Sequence, residues 1–337
     1  MKIVCDDKIP YIREALASLT DDEFYKEGGS IAAADVHEAD ALIVRTRTRC
    51  DQALLQDSRV QLVVTATIGY DHIDTEWLES AGIAWTNCPG CNATSVAQWV
   101  RNSLLATDLH IGTLGIVGYG HVGRAVAATM RPCVERIVVN DPPLSESGLL
   151  CANDLDSTYS LGELAAIGAD AITFHTPLTL GGKHPTLHLA DQDFFDRLAR
   201  PTVIINAARG GVVDEAALLR AMDRGIVTHA LIDTWEGEPH INPELLHRAA
   251  IATPHIAGYS ADGKANASRM VVEAIARHFG LEADTSAIVP PTVHCNAANP
   301  LALYDPRTDS AALKADPNRF EWLRGHYPVR REIAQNR

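Results

Sequence analysis

Three glycines, Gly118, Gly120 and Gly123, stand in TLGIVGYGHVGRAVAATM, where a strand-like apolar run meets a helix-like one. That spacing suits one chemistry above others, the holding of a dinucleotide. Gly118 allows a tight turn, Gly120 lets the backbone approach a pyrophosphate, and Gly123 permits close helix-strand contact. The helix start at His121 and Val122 is then aimed at the phosphates. Three glycines alone more often mean a turn; strand before, helix after and an acid downstream make this a nucleotide site. The acid is Asp141 in VVNDPP, placed to accept hydrogen bonds from an adenosine ribose and to repel a 2′-phosphate. Because Pro142 and Pro143 follow in place of an arginine, the expected cofactor is NAD and not NADP. Asp141 could also simply begin the turn before Pro142, which is compatible with the same role. Thr176 in HTPL and Asp233 in LIDTW end later strand-like runs, at the edge where ligands collect. Either could be a plain strand-end turn residue, and Asp233 is the better functional candidate.

A different question is posed by TPHIAGYS, in which His255 either fills space as a buried ring or moves a proton. The elements around it narrow the choice. At 337 residues, 46% hydrophobic and 21% charged, the chain reads as a globular protein with two or three cores. Net charge of -14 argues against nucleic acid as a partner, so an anionic ligand must be met by local arginines and backbone amides. The seven cysteines are scattered, odd in number and lack a histidine-rich partner set, so neither a disulfide framework nor a metal site is expected. Cys88 and Cys91 form CPGC after IAWTN, a turn with two incidental thiols in preference to a redox pair. The opening MKIVCDDKIP is charged by residue 2 and no later run approaches spanning length, so a cytoplasmic protein with no membrane partner is expected.

Short runs rich in Val, Ile and Ala alternate with amphipathic stretches, which is the pattern of βα repeats in parallel sheets covered on both faces. The first series holds KIVCDD, a helix near 9 to 19, ALIVRT, QLVVTAT and GIAWTN, followed by a helix from Thr94 to about Leu105. The second begins at TLGIVGYG and continues through RIVVND, AITFHTPL, TVIINAARG, VTHALIDTW and IATPH, six candidate parallel strands. The expected class is therefore α/β with two doubly wound parallel-sheet domains. Ser160 with Glu163 forms a capping box, Asp214 and Gly225 bracket DEAALLRAMDR, and Ser260 and Gly280 bracket a long helix returning the chain to its first domain. The tail from Ala283 loses this pattern until PNRFEWLRGHYPVRRE, where Phe320, Leu323 and Tyr327 share one face that a second subunit could cover.

NAARGGVVD, DTWEGEP and TPHIAGY end the last three of these strands, in that order, and with TATIGYDHID and PGCNAT they resemble the D-2-hydroxyacid dehydrogenases. The resemblance covers residues 1 to about 280 and implies a flavodoxin-like substrate domain and a Rossmann NAD domain with a short C-terminal extension. Boundaries on that basis are 1–93 for the substrate domain, 94–258 for the NAD domain, 259–283 for the return helix and 284–337 for a segment suited to dimerisation. It places the family's Arg, Glu, His set at Arg209, Glu238 and His255, and adds Gly258 to the cofactor contacts. The chemistry fits these types. Hydride loss from an alcohol leaves a proton, which a neutral imidazole with an ordinary pKa of ~6.5 can accept. A carboxylate on the far ring nitrogen fixes the tautomer, and a guanidinium fork clamps the substrate carboxylate. Taken singly, Arg209 could be a solvated surface residue, Glu238 a turn acid before Pro239 and His255 a satisfied strand end. Together, at successive strand ends beside a nucleotide site, they favour catalysis.

Within that family VRTRT, AITFHTPL, YDPRTDSAALK and LRGHYPVRRE resemble members that oxidise a small phosphorylated 2-hydroxy acid, 4-phospho-D-erythronate, on the way to pyridoxal phosphate. The resemblance implies a homodimer and substrate contacts at Thr46, Thr67 and Tyr259. A phosphate needs strong donors, and Arg45, Arg330 and Arg331 are the basic candidates; the last two could equally be a charge pair at a helix C-terminus. Other readings are a related dehydrogenase acting on phosphoglycerate, glycerate or glyoxylate, and an NADH-responsive binding module. The intact Arg209, Glu238 and His255 set weighs against the module.

Overall fold

The computed structural model describes residues 1–150, 156–293 and 299–332. The described residues divide into two compact units, one made of 1–92 and 260–293, the other of 93–150, 156–259 and 299–332.

In the first unit β1 (Lys2–Asp6), β2 (Asp22–Lys26), β3 (Ala41–Val44), β4 (Leu62–Thr65) and β5 (Ala84–Thr86) form a parallel sheet of order β2-β1-β3-β4-β5, the flavodoxin-like winding. β3 and β4 are buried throughout, which is why they read as unbroken apolar runs. β2 was not foreseen: its DEFYK sits at an edge and leaves one side to solvent, so polar residues suffice. The helix expected near 9 to 19 is shorter, Arg13–Ala17, because the chain turns at Tyr11 with φ of 62°. The returning helix Ala261–Phe279 starts at Ser260, whose Oγ accepts from the Gly263 amide at 2.8 Å, and ends at Gly280 with φ of 69°. Its Val271, Val272 and Ile275 pack in one core with Ile3, Ile43 and Val64. Cys88 and Cys91 are both buried; burial pushes the Cys88 thiol up, which leaves it inert.

The second unit holds β6 (Thr113–Val117), β7 (Arg136–Asn140), β8 (Ser157–Thr158), β9 (Ala171–Phe174), β10 (Thr202–Asn206), β11 (Val227–Ile232) and β12 (Ile251–Ala252). All pairs are parallel, in the order β12-β11-β10-β9-β6-β7-β8. Read from the far edge, this is the Rossmann winding with a seventh strand added beyond β11. β8 is the strand the six-strand expectation lacked, a two-residue edge too short to leave a pattern. The helix caps are as expected: Ser160 and Glu163 bond reciprocally, and Asp214 accepts from the Ala217 amide at 2.9 Å.

The tail differs from expectation. Asn299 and Asp305 each cap a helix whose first residue is proline, giving Pro300–Leu303 and Pro306–Ala315 where an irregular segment was expected. The last helix is only Phe320–Gly325, so Arg330 and Arg331 do not form a charge pair at its end. The apolar stripe is covered by the chain itself: Phe320 is 1% exposed in the core with Leu313 and Leu246. Tyr327, past the helix, donates to Asp309 at 2.9 Å. No second subunit is needed to bury that stripe. Of the described residues after 283, those up to 293 group with the first unit and 299–332 with the second.

Candidate active site

β6 lies in the interior of the second sheet beside the central β9, where the winding reverses between the two, and the glycine loop leaves its carboxyl end. Gly118 has φ of 89°, and a Cβ there would meet the His175 carbonyl at 2.8 Å. At Gly123 a Cβ would sit 2.1 Å from the Gly118 oxygen, so only glycine lets the helix His121–Met130 start this close to β6. Gly120 has open space instead, and as helix N-cap it supplies no side-chain acceptor to the first amides. Exposed His121 and half-buried Val122 begin that helix. Asp141 Oδ2 accepts from the Tyr119 amide at 2.7 Å and Oδ1 from Leu144 at 2.9 Å. It thus braces the glycine loop and caps the turn at Pro142, with remaining lone pairs for a ribose. Thr176 Oγ1 is buried without a hydrogen-bond partner among the described residues. Open space at Gly120, uncapped amides, an acid at the β7 end and an orphaned hydroxyl together fit a bound dinucleotide.

β10, β11 and β12 are neighbours, so the loops carrying Arg209, Glu238 and His255 leave the same edge of one sheet. His255 Nδ1 lies 2.8 Å from Glu238 Oε2, leaving Nε2 available to a substrate. Glu238 Oε1 accepts from the Trp235 amide at 2.9 Å. Burial pushes the Glu238 carboxyl up, but the hydrogen bond and charge of His255 and the Trp235 amide outweigh it, holding it below its ordinary range. His255 is 29% exposed at its side chain, accessible but not free in solvent.

The loop that presents His255 is fastened from below. Asp233, 1% exposed, accepts from Ile256 N at 2.8 Å, Ala257 N at 2.9 Å and the Thr253 hydroxyl. Thr253 in turn is held by the Trp99 and Trp235 indoles, at 3.0 and 2.9 Å. Burial drives the Asp233 carboxyl above its ordinary range against the opposing pull of His255 and these donors. With this support His255 adopts φ of 55°, a left-handed conformation that histidine rarely takes and that costs on the order of 1 kcal/mol or more. The sequence pointed to Asp233 as a candidate cofactor contact and not to its place as the floor of the His255 loop. Half-buried Gly258 continues the same loop.

Arg209 is half-buried, its Nη1 donating to the Ala208 carbonyl at 2.8 Å. Buried Asn206 shapes this loop, donating to the Arg209 carbonyl and accepting from the Ala208 amide at 3.1 Å. Gly210 and Asn206 were not singled out from sequence; the ARGG doublet beside Arg209 was the available signal.

Of the remaining candidates, Thr46 is exposed just after β3, and Arg45 bonds buried Asp6 through Nε at 3.1 Å. Thr67 Oγ1 donates to the Gly69 carbonyl at 2.8 Å and lies 2.7 Å from Thr65 Oγ1, which His72 contacts at 3.0 Å. Tyr259 packs edge-on against Tyr327, with ring centroids 6.0 Å apart. Arg330 is buried. It is 4% exposed, donates to Ser95 and to the Ala257 carbonyl, and lies over the Tyr304 ring at 4.3 Å. Its guanidinium is enclosed inside the second unit, with Nη2 on these oxygens and Nε without a partner among the described residues. Arg331 binds through its carbonyl, which accepts from Gln98 at 3.0 Å.

A Rossmann sheet with a glycine loop at its reversal and an imidazole-carboxylate pair at the same edge defines an NAD-dependent dehydrogenase. Residues 88–257 match the family model for the D-isomer specific 2-hydroxyacid dehydrogenase NAD-binding domain, and the chain belongs to that family. A relative from Bacteroides fragilis, named erythronate-4-phosphate dehydrogenase, is 47% identical over 98% of this chain and 97% of its own. One of the same name from Shigella boydii is 39% identical over 98% of this chain and 92% of its own. Among solved structures, NAD-bound 3-phosphoglycerate dehydrogenase from Entamoeba histolytica is similar with a TM-score of 0.69 and 25% identity, covering 83% of this chain and 95% of that one. D-lactate dehydrogenase of Aquifex aeolicus, solved with NAD and lactic acid, shares the fold with a TM-score of 0.63 and 22% identity, covering 83% and 96%. No helix among the described residues is long and apolar enough to cross a membrane.

Proposed function

We propose that the chain oxidises 4-phospho-D-erythronate at C2 with NAD, giving 2-oxo-3-hydroxy-4-phosphobutanoate and NADH in pyridoxal phosphate biosynthesis. The chemistry rests on one observation, the 2.8 Å contact between His255 Nδ1 and Glu238 Oε2. The substrate rests on relatives of that name at 39 to 47% identity across nearly the whole chain.

Bound NAD supplies the acceptor for the hydride that leaves C2. His255 Nε2 takes the hydroxyl proton as the C2–O bond becomes a carbonyl. Glu238 keeps the ring's own proton on Nδ1 and stabilises the imidazolium that forms. Arg209 clamps the substrate carboxylate and polarises the carbonyl in the reverse direction. Gly118, Gly120, Gly123, His121 and Val122 hold the pyrophosphate and Asp141 the ribose, while Thr176, Asp233 and Gly258 serve the nicotinamide end. Thr46, Thr67 and Tyr259 contact the substrate, with Arg45 as a further cation. In this reading residues 1–93 and 259–283 are the substrate domain and 94–258 the NAD domain. The enzyme works as a cytoplasmic homodimer. Support for an interface comes from Trp322 and Val329 of the tail, 49% and 57% exposed.

The deciding experiment is NADH formation from a panel of 4-phospho-D-erythronate, 3-phosphoglycerate, glycerate and lactate. Highest kcat/KM on 4-phospho-D-erythronate is expected; a higher value on any other member would overturn the substrate assignment.

A further inference from the structure

We propose that Arg324, on the short tail helix, is the residue that selects the phosphorylated end of the substrate. The inference rests on the substrate reading above. A phosphorylated hydroxy acid brings about three negative charges to a chain whose own net charge is -14, so binding requires cations placed at the site. Arg209 is assigned to the carboxylate. Arg330 is enclosed at 4% exposure with Nη2 on Ser95 and Ala257, and Arg45 has its Nε on buried Asp6.

Arg324 is differently disposed. Its Nη1 is held by Glu321 at 2.9 Å, and its guanidinium stands 6.0 Å from the Tyr259 ring centroid and 5.9 Å from that of Phe320. These contacts fix the plane of the fork. Nη2 reaches the Tyr259 hydroxyl only at 3.4 Å, a long contact, and Nε is buried with no acceptor among the described residues. The group is thus oriented without being saturated. Its side chain is 24% exposed, enough for a ligand oxygen to reach it. Tyr259 lies four residues beyond His255, and the Arg324 charge is felt at Glu238, so the fork belongs to the neighbourhood of the proton-transfer pair. An anion that displaces the long Tyr259 contact gains charge-assisted hydrogen bonds from a guanidinium already desolvated, at little ordering cost.

The same position could instead serve only to neutralise Glu238, and the two roles separate by experiment. Steady-state constants are measured for Arg324→Met and Arg324→Lys with 4-phospho-D-erythronate and with unphosphorylated D-erythronate, alongside NADH affinity and Tm. For Arg324→Met, KM for the phosphorylated acid should rise about 10-fold or more, beyond any fall in kcat, as for loss of a charge-assisted contact. The rate on D-erythronate and the NADH affinity should change little, Arg324→Lys should recover part of the loss, and inorganic phosphate should inhibit the wild type competitively but not Arg324→Met. Equal losses on both acids, or an unchanged KM, would overturn the proposal. If Arg324→Met does not fold, Arg324→Lys alone decides by the same comparison. Should the wild type prefer another acid, the substrate reading falls. The role of Arg324 then survives only if that acid is phosphorylated and its KM responds in the same way.

Discussion

Gly210 lies against Trp235 so closely that a Cβ on it would fall 1.8 Å from the Trp235 carbonyl oxygen. The loop bearing Arg209 is therefore stacked, backbone on backbone, upon the loop whose Trp235 amide holds Glu238. Two of the three proposed catalytic side chains take their spacing from the absence of one methyl group.

Gly210→Ala must push these loops apart. Displacement of this kind, on the order of 1 Å, lowers kcat/KM by roughly 10²-fold. Steady-state assays on the variant check this, and a crystal structure should show the Trp235 carbonyl moved.

Two glycines of the fingerprint should behave oppositely. Gly123→Ala collides with the Gly118 oxygen and should unfold the second unit or lower its Tm sharply. Gly120→Ala meets no atom and should keep the wild-type Tm while weakening NADH binding, because its methyl occupies space left for the pyrophosphate. Thermal melts and fluorescence titration with NADH distinguish them.

His255→Asn should bind NADH with wild-type affinity and lose ~10²-fold or more in kcat, the usual contribution of a general base. Glu238→Gln removes the carboxylate that holds Nδ1, and its kcat should fall by a smaller factor with Tm little changed. Turnover within threefold of wild type in His255→Asn would, by the same scale, remove the assignment.

Glu215 gives a pH signature. It is 8% exposed, and burial, with the charges of Glu236, Glu238 and Asp214, pushes its carboxyl up from 4.5 to about 7 despite the Glu236 amide bonded to it. The folded protein therefore holds this proton more tightly than the unfolded chain. Its contribution to stability is lost as pH rises from about 4.5 to 7, and is fully lost above that. Glu215→Gln carries no such penalty, so its stability relative to wild type should grow with pH, reaching on the order of 1–3 kcal/mol at pH ~8. Urea titrations at three pH values test the sign.

Both central sheets were legible because β1, β3, β4, β6, β9 and β10 are buried on both faces and write that burial as runs of Val, Ile and Leu. The glycine loop and the caps at Ser160, Asp214 and Ser260 were legible because each is a local requirement of backbone geometry. Edge strands DEFYK and Ser157–Thr158 escaped because a strand with one open side needs no apolar run. The tail was misread for a different reason: whether Phe320 faces solvent or Leu313 depends on where the chain has travelled, which no spacing records. Asp233 was legible as a strand-end acid but not as the support of the His255 loop, because its three donors, at 253, 256 and 257, become its neighbours only when β11 and β12 pair.

Arg330 grips the carbonyl of Ala257 from 73 residues further along the chain. During synthesis the ribosome must deliver residue 330 before this last tie on the turn after His255 can form, a turn that Asp233 already holds from below. A premature stop codon shortly before Arg330 should therefore release a protein whose turn lacks this tie, expected to keep its cofactor affinity while turning over more slowly.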